Sequence, residues 1–314
     1  MILSVSFKAS VRKIQYSIAY FFIRCFLVFL RFLPKPLFPF FCALFYAPLK
    51  LLARRDLSLL RTNIDRVWHL PPKTTFSTMF ENQVIKSQVK CTLEGLKILI
   101  DPSHIHVSGL EELKFLVSSM NRAAQGVLFV TAHIGLWELC AYYAAKVVQP
   151  SNLHVLAKPT PSPLLTHLMT DIRTKMGVHV LLNDSKTLIR DMVEVLKKGD
   201  SLGFVMDQKP DHRGVSVDFF RHQTEFVTGP ARLAVKFGNP VVSIFCVRED
   251  VWRYRLIFRK LLSPNHNLHD EAEVTNLFAR EIERVIKLYP DQWTWSYKRW
   301  TFSSPQETID PNGI

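Results

Sequence analysis

The chain has 314 residues, 48% of them hydrophobic, which excludes a disulfide-stapled mini-protein and global disorder and leaves room for one large domain or two modest ones. Lys and Arg number 40 against 27 Asp and Glu, a net charge of +13. The five cysteines lie far apart with no C-x-x-C, so a disulfide framework or a four-cysteine zinc site is disfavoured and a reducing compartment fits.

The charge is concentrated at the start of the chain. Residues 1–70 hold eleven Lys/Arg against two acidic residues, Asp56 and Asp65, and ten of the 23 Phe fall within the first fifty positions. A basic, aromatic arm suits either nucleic acid or an anionic membrane. A nucleic-acid arm is polar between its basic residues. Here Arg24 and Arg31 are separated by Cys25–Leu30, and an uncharged run, Leu37–Leu49, follows Pro34-Lys35-Pro36. The arm therefore reads as a membrane anchor, with membrane lipid and not nucleic acid as its partner.

Two forms of anchor fit. The charge-free run of thirteen residues is shorter than the ~18–20 of a clean span. A span over about residues 14–33 would place Arg24 mid-helix, at roughly 2.5–3.5 kcal/mol, relieved by snorkelling. The other form is an interfacial helical hairpin bent at Pro34 and Pro36. No small-residue cleavage site follows the apolar run, so a removed signal peptide is not expected. Arg54, Arg55, Arg61 and Arg66 cluster after the apolar region and, by the positive-inside rule, put the remainder in the cytoplasm. The expected organisation is an anchor over residues 1–70 and one catalytic domain over 71–314.

From residue 104 the pattern alternates between short apolar strands and helices. Strands are expected at His104–Val107, Val127–Ala132, Leu153–Ala157, Val178–Leu182, Ser201–Met206 and Val241–Val247, with a hairpin partner at Tyr254–Phe258. Helices are expected at Leu110–Ala124, Leu136–Val148, Leu164–Met176, from Asp184 or Ser185 to Lys198, at Gly229–Phe237 and at Asp270–Leu288. Such alternation predicts an α/β fold, a mixed and mostly parallel central sheet flanked by helices.

In open α/β sheets reactive groups gather where strands end. The strand ending at Ala132 runs into His133-Ile-Gly-Leu-Trp-Glu138. His and Glu five positions apart point away from each other on one helix. They meet if His133 ends the strand, Glu138 opens the next helix and Gly135 permits the bend. A carboxylate on one imidazole nitrogen leaves the other nitrogen as a base, which makes His133 and Glu138 a base–orienter pair. A second polar turn, Asp207-Gln208-Lys209-Pro210-Asp211, closes the strand that begins at Ser201.

These features together resemble the bacterial lipid A biosynthesis acyltransferase family, within the glycerolipid acyltransferase superfamily. The resemblance rests on ordered segments across about residues 15–302: Val107–Leu113, Thr131–Leu139, Lys158–Pro163 with Arg173, Asn183–Lys186, Lys198-Gly199, Asp207-Gln208, Val217–Phe220, Thr228–Pro240 and Pro290–Trp300. It departs from the family pattern at Leu136, where Asn is usual, at Lys158, where Arg is common, and at Arg221, where Gly follows the Phe pair. It implies transfer of an acyl chain from acyl carrier protein to a hydroxyl, that of a 3-hydroxyacyl chain, on a lipid A precursor at the bacterial inner membrane, with no cofactor and no metal. His133 would take the hydroxyl proton and Glu138 would orient it. Attack is direct, and the oxyanion donors would be backbone N–H groups near Gly135 or a basic side chain. Lys158 and Arg173 would hold acceptor anions, Asp207 and Gln208 would shape the site, and Lys209, Arg213 and Arg221 would dock the acidic carrier protein. The alternatives are a glycerophospholipid or glycolipid-mannoside acyltransferase, a metal-dependent hydrolase using His104, His106, His133 and His212, and a non-catalytic membrane tether. Trp293, Trp295 and Trp300 are expected partly in the core, with one or two at the membrane.

Overall fold

In a computed structural model the described residues are 2–52, 54–68, 74–102, 105–120, 125–210 and 214–300, with side chains described from residue 14 apart from 49 and 52–55. Helix α1 (Ile2–Phe32) turns at Pro34–Leu37 into α2 (Phe38–Leu52), and α3 (Arg54–Trp68) and α4 (Thr75–Ile100) follow. The bend falls at Pro34 and Pro36, because Pro34 is fixed in the extended region (φ −62°, ψ 139°) and Pro36 supplies no N–H. Ring contacts close the hairpin: Phe26 lies 6.2 Å from Phe41 and 5.9 Å from Phe45.

The hairpin is part of the fold and not an appendage. Leu30, Phe38, Phe41 and Cys42 are buried in the same core as the strands. Lys97 near the end of α4 donates to the carbonyls of Leu30 (2.7 Å), Arg31 (3.1 Å) and Leu33 (2.8 Å), at and just beyond the end of α1, where carbonyls run out of helical donors. The opposite side of the arm is apolar and open. Phe21, Phe22, Phe29, Phe32, Phe40 and Leu44 are all about half or more exposed. Residues Ile14–Phe32 form a helix long and apolar enough to cross a membrane.

Seven strands form the main sheet, in the order β1-β9-β8-β2-β5-β3-β4. They are β1 (His106–Ser108), β2 (Leu128–Thr131), β3 (Leu153–Ala157), β4 (Val178–Leu182), β5 (Ser201–Val205), β8 (Val241–Asp250) and β9 (Arg253–Leu262). Strands β4, β3, β5, β2 and β8 run parallel, and β9 is antiparallel to β8 with β1 alongside it. The expected mixed, mostly parallel sheet is what the structure contains. A separate hairpin, β6 (Val215–Phe219) with β7 (His222–Phe226), had no sequence reading. Its two-residue turn puts Phe220 and Arg221 at φ of 55° and 61°, the region a tight hairpin turn demands, which accounts for the family's glycine at the second position.

Helices α5 (Leu110–Met120), α6 (Trp137–Val147), α7 (Pro163–Lys175), α8 (Leu188–Lys197), α9 (Gly229–Phe237) and α10 (Glu271–Leu288) complete the fold. Local capping sets several boundaries. Ser162 accepts from the Leu165 N–H ahead of Pro163, and Asp270 accepts from the Ala272 N–H. α8 begins later than expected. The Ser185 and Thr187 hydroxyls bond each other and Thr187 bonds Asp191, so the segment from Asp184 forms a turn first. The first expected strand also shifts, to His106–Ser108, and His104 lies outside the described residues.

Candidate active site

The central strand β2 is buried along its length, and Ala132 and His133 continue from its C-terminal end. Gly135 then turns the chain with φ of 58°, and a Cβ there would collide with the Cys246 carbonyl oxygen, so only glycine fits. This turn is bonded into the sheet end: the Gly135 N–H donates to the Gln292 carbonyl (2.9 Å) and the Leu136 N–H to that of Cys246 (2.8 Å). Those two N–H groups therefore have partners and do not form the oxyanion site expected near Gly135.

Neighbouring β5 ends in the same place, where the Met206 N–H donates to the Thr131 carbonyl (2.9 Å) and Asp207 follows. Asp207 is 3% exposed and accepts three bonds. His133 Nδ1 lies 2.7 Å from Oδ1, the His133 main-chain N–H donates to Oδ2 (3.0 Å), and Trp293 Nε1–H donates to Oδ2 (2.7 Å). Burial opposes ionisation of Asp207, but its contacts with His133 and Trp293 outweigh that and hold the carboxyl below its ordinary range. Burial likewise disfavours a charged imidazole, yet Asp207, and next Glu138, win and raise the His133 pKa. Among the described residues His133 Nε2 has no hydrogen-bond partner, and the ring packs edge-on against Trp137 at 4.9 Å.

The carboxylate on His133 Nδ1 is thus that of Asp207 and not that of Glu138. Glu138 does open α6, as expected, but its carboxylate is taken by Arg173 of α7, with Nε–H donating to Oε2 (3.1 Å) and Nη2–H to Oε1 (2.5 Å). Both side chains are about 15% exposed or less, so the pair is largely shielded from water. Arg173 is consequently neutralised within the fold and not a free cation awaiting an acceptor. The sequence brought His133, Glu138, Arg173 and Asp207 into one list, and the structure brings them to one end of the sheet in a different pairing. Lys158 follows β3 on the exposed surface, Gln208 is exposed beside Asp207, and Lys209 is half-buried. Arg221 is exposed in the β6–β7 turn, well outside the His133–Asp207 contact set, and Arg213 and His212 lie outside the described residues.

Two contributors escaped the sequence reading. Trp293, Trp295 and Trp300 are all buried, at 2% exposure or less, so none forms a membrane belt, and Trp293 instead clamps Asp207. Arg299 is fully buried, with its guanidinium 3.9 Å from the Phe226 ring centroid and one donation from Nη1–H to the Glu225 carbonyl (2.8 Å). Its Nε and Nη2 have no partner among the described residues. Burial pushes its pKa down to about 10, with the Asp207 charge acting in the opposite sense.

A slot under α6 opens beside the Glu138–Arg173 pair. Its walls include Phe129 and Thr131 of β2, Gly203 of β5, Val155 of β3 and Cys140, and Glu138 and Arg173 line it as well. It is narrow, about 50 Å³. Among the described residues no three His, Cys, Asp or Glu side chains converge as a metal site would require, and His106 is exposed on β1.

The sequence pattern described as bacterial lipid A biosynthesis acyltransferase matches residues 4–301. The chain belongs to that family. Curated relatives include a phosphatidylinositol mannoside acyltransferase of Mycolicibacterium smegmatis, 23% identical over 57% of this chain and 58% of the relative. A protein of the same name in Mycobacterium tuberculosis is 22% identical over 62% of this chain and 59% of the relative. The chain thus spans under two thirds of the length of these relatives.

Proposed function

We propose that this family member is an O-acyltransferase that moves a fatty acyl chain from acyl carrier protein to a hydroxyl of a lipid A precursor, on the cytoplasmic face of the bacterial inner membrane. The observation that carries the reading is His133. Its Nδ1 is held by a buried carboxylate, its Nε2 has no partner among the described residues, and Trp137, against which its ring packs, lines an apolar slot. In the reaction Nε2 takes the proton of the acceptor hydroxyl as the oxygen attacks the thioester carbonyl carbon. The C–S bond then breaks, and the imidazolium returns the proton to the departing thiolate of the carrier's prosthetic arm. Asp207 fixes the tautomer and stabilises the imidazolium. The Glu138–Arg173 pair stands at the slot. Arg173 Nη1, bonded to nothing among the described residues, is the basic group proposed to face the developing oxyanion. Lys158 and Gln208, both exposed, are left to the acceptor side, and Lys209 to carrier docking.

A second acceptor class has a specific observation behind it, since the curated relatives are named for a phosphatidylinositol mannoside. Purified enzyme supplied with acyl carrier thioester and offered each acceptor in turn separates the two. Transfer to the lipid A precursor and not to the mannoside is the expected result. The reverse would transfer the reading to the mannoside class. Release of free acid alone, with neither acceptor acylated, would defeat both.

A further inference from the structure

On the far side of the Gly135–Gln292 contact lies a second and larger cavity, about 480 Å³, between α4 and the end of β8. Gln292, whose carbonyl accepts from the Gly135 N–H, lines it and so touches both this cavity and the His133 turn. Its charges do not cancel. Arg248 is held by Glu94 through three contacts of 2.8–3.1 Å, Glu249 pairs with Arg255 at 2.6 Å, and Asp291 accepts from the Ser87 hydroxyl. Lys86 and Lys90, on successive turns of α4, have no ion-pair partner among the described residues, and the Lys86 ammonium sits 5.7 Å from the Tyr46 ring of α2. Lys86 and Lys90 therefore outnumber Asp291, whose hydroxyl partner leaves its charge in place, and the cavity keeps a net positive charge.

The same face changes character along its length. Phe76, Met79, Gln83, Lys86 and Lys90 follow at intervals of three and four, so they form one stripe. Its start is apolar and bare, with Phe76 62% and Met79 66% exposed, and its end is basic. The neighbouring hairpin repeats the arrangement. Exposed Leu44 and Leu51 of α2 flank Lys50, whose ammonium donates to Asn82 (2.6 Å) at the cavity wall.

We infer that this cavity is a binding site for the phosphate headgroup of an anionic glycerophospholipid, distinct from the acyl-transfer site, with Lys86 and Lys90 on the phosphate and the lipid's tails along Phe76, Met79 and the open face of α2. A lone exposed lysine binds nothing in particular, but two on one face beside an apolar stripe match the two ends of an amphiphile. A soluble phosphate would use the basic end only. A neutral lipid would use the apolar end only.

Native mass spectrometry of the full-length chain in detergent tests this, with phosphatidylglycerol or phosphatidylcholine added and inorganic phosphate titrated separately. The expected result is one phosphatidylglycerol retained with at least tenfold preference over phosphatidylcholine, falling at least tenfold in Lys86→Gln/Lys90→Gln. Lys86→Arg/Lys90→Arg should retain it, as should Lys197→Gln/Lys198→Gln at an unrelated exposed pair. Hydrolysis of acyl carrier thioester should not change in the Lys86/Lys90 variants, which separates this site from the reaction proposed above. Equal retention of both lipids, an unchanged occupancy in the Gln pair, or inorganic phosphate competing at the lipid's own affinity would each overturn the inference.

Discussion

Asp207 grips His133 twice, Oδ1 at 2.7 Å from the ring nitrogen Nδ1 and Oδ2 accepting the main-chain N–H of the same residue at 3.0 Å. One carboxylate thereby fixes both the position of the backbone at the end of β2 and the tautomer of the side chain it carries. Asp207→Asn keeps the shape and removes the charge. Because the carboxylate raises the His133 pKa, the acid limb of the pH–rate profile should move to lower pH. The plateau should fall by about 10²–10⁴-fold, since the imidazolium loses its counter-charge. A profile with an unmoved acid limb would show that His133 is not the titrating base.

Glu138 and Arg173 neutralise each other in a largely shielded site, so removing either leaves the other charged and alone. Glu138→Ala and Arg173→Ala should each cost more than the pair is worth. The double variant should be no worse than the poorer single in thermal stability. Activity should be lost in all three if Arg173 faces the oxyanion. A double variant whose losses add would mean that the two side chains act independently.

Arg299 is a buried cation whose field reaches Asp207. Arg299→Met removes that positive charge, so the pKa values of Asp207 and His133 should both rise and the acid limb should shift to higher pH, opposite to Asp207→Asn. Arg299→Lys should leave the limb closer to its original place. A merely structural role would lower the amount of folded enzyme without moving the limb.

The arm is expected to be inseparable from the domain. Deleting residues 1–50 removes Leu30, Phe38 and Phe41 from the core and should yield aggregate, measured as loss of a monomer peak in detergent. The point variant Phe38→Ala, which loses its edge-on contact with Trp252 at 4.7 Å, should cost about 3–5 kcal/mol of stability. High-salt washing should not extract the intact protein from membranes, because apolar insertion is barely screened.

The parallel strands of the main sheet were legible because each is a short apolar run closed by a turn residue, and burial on both faces demands that pattern. α3 and α4 were not. Their inward faces carry Asn63, Glu81, Glu94 and Lys97, whose partners come from distant parts of the chain: Asn63 donates to the Trp295 and Tyr297 carbonyls, and Glu94 accepts from Arg248 and Tyr254. A polar residue buried by a remote partner looks like a surface residue in sequence. His133 and Glu138 were visible for the opposite reason, since they are close along the chain. That closeness suggested the wrong partnership. Asp207 is 74 positions away, and what joins it to His133 is the pairing of β2 with β5, in which Thr131 stands opposite Val205. Two strands that each end in a polar residue were the available signal, and strand adjacency was the missing fact.

The three carbonyls at the end of α1 that Lys97 collects have a topological consequence. A helical hairpin that dips into one leaflet leads with its bend. Here the bend is fastened to the catalytic domain by Lys97, and Lys35 and Phe38 at the bend both lie against Trp252. The bend is therefore a fixed end of the arm. Residues Ile14–Phe32 rise about 28 Å at ~1.5 Å per residue, nearly the hydrocarbon thickness of a bilayer. If that segment crosses, the first residues of the chain and the catalytic domain would lie on opposite faces of the membrane. A reporter fused at the N-terminus and one placed in the sheet domain would then answer to different compartments.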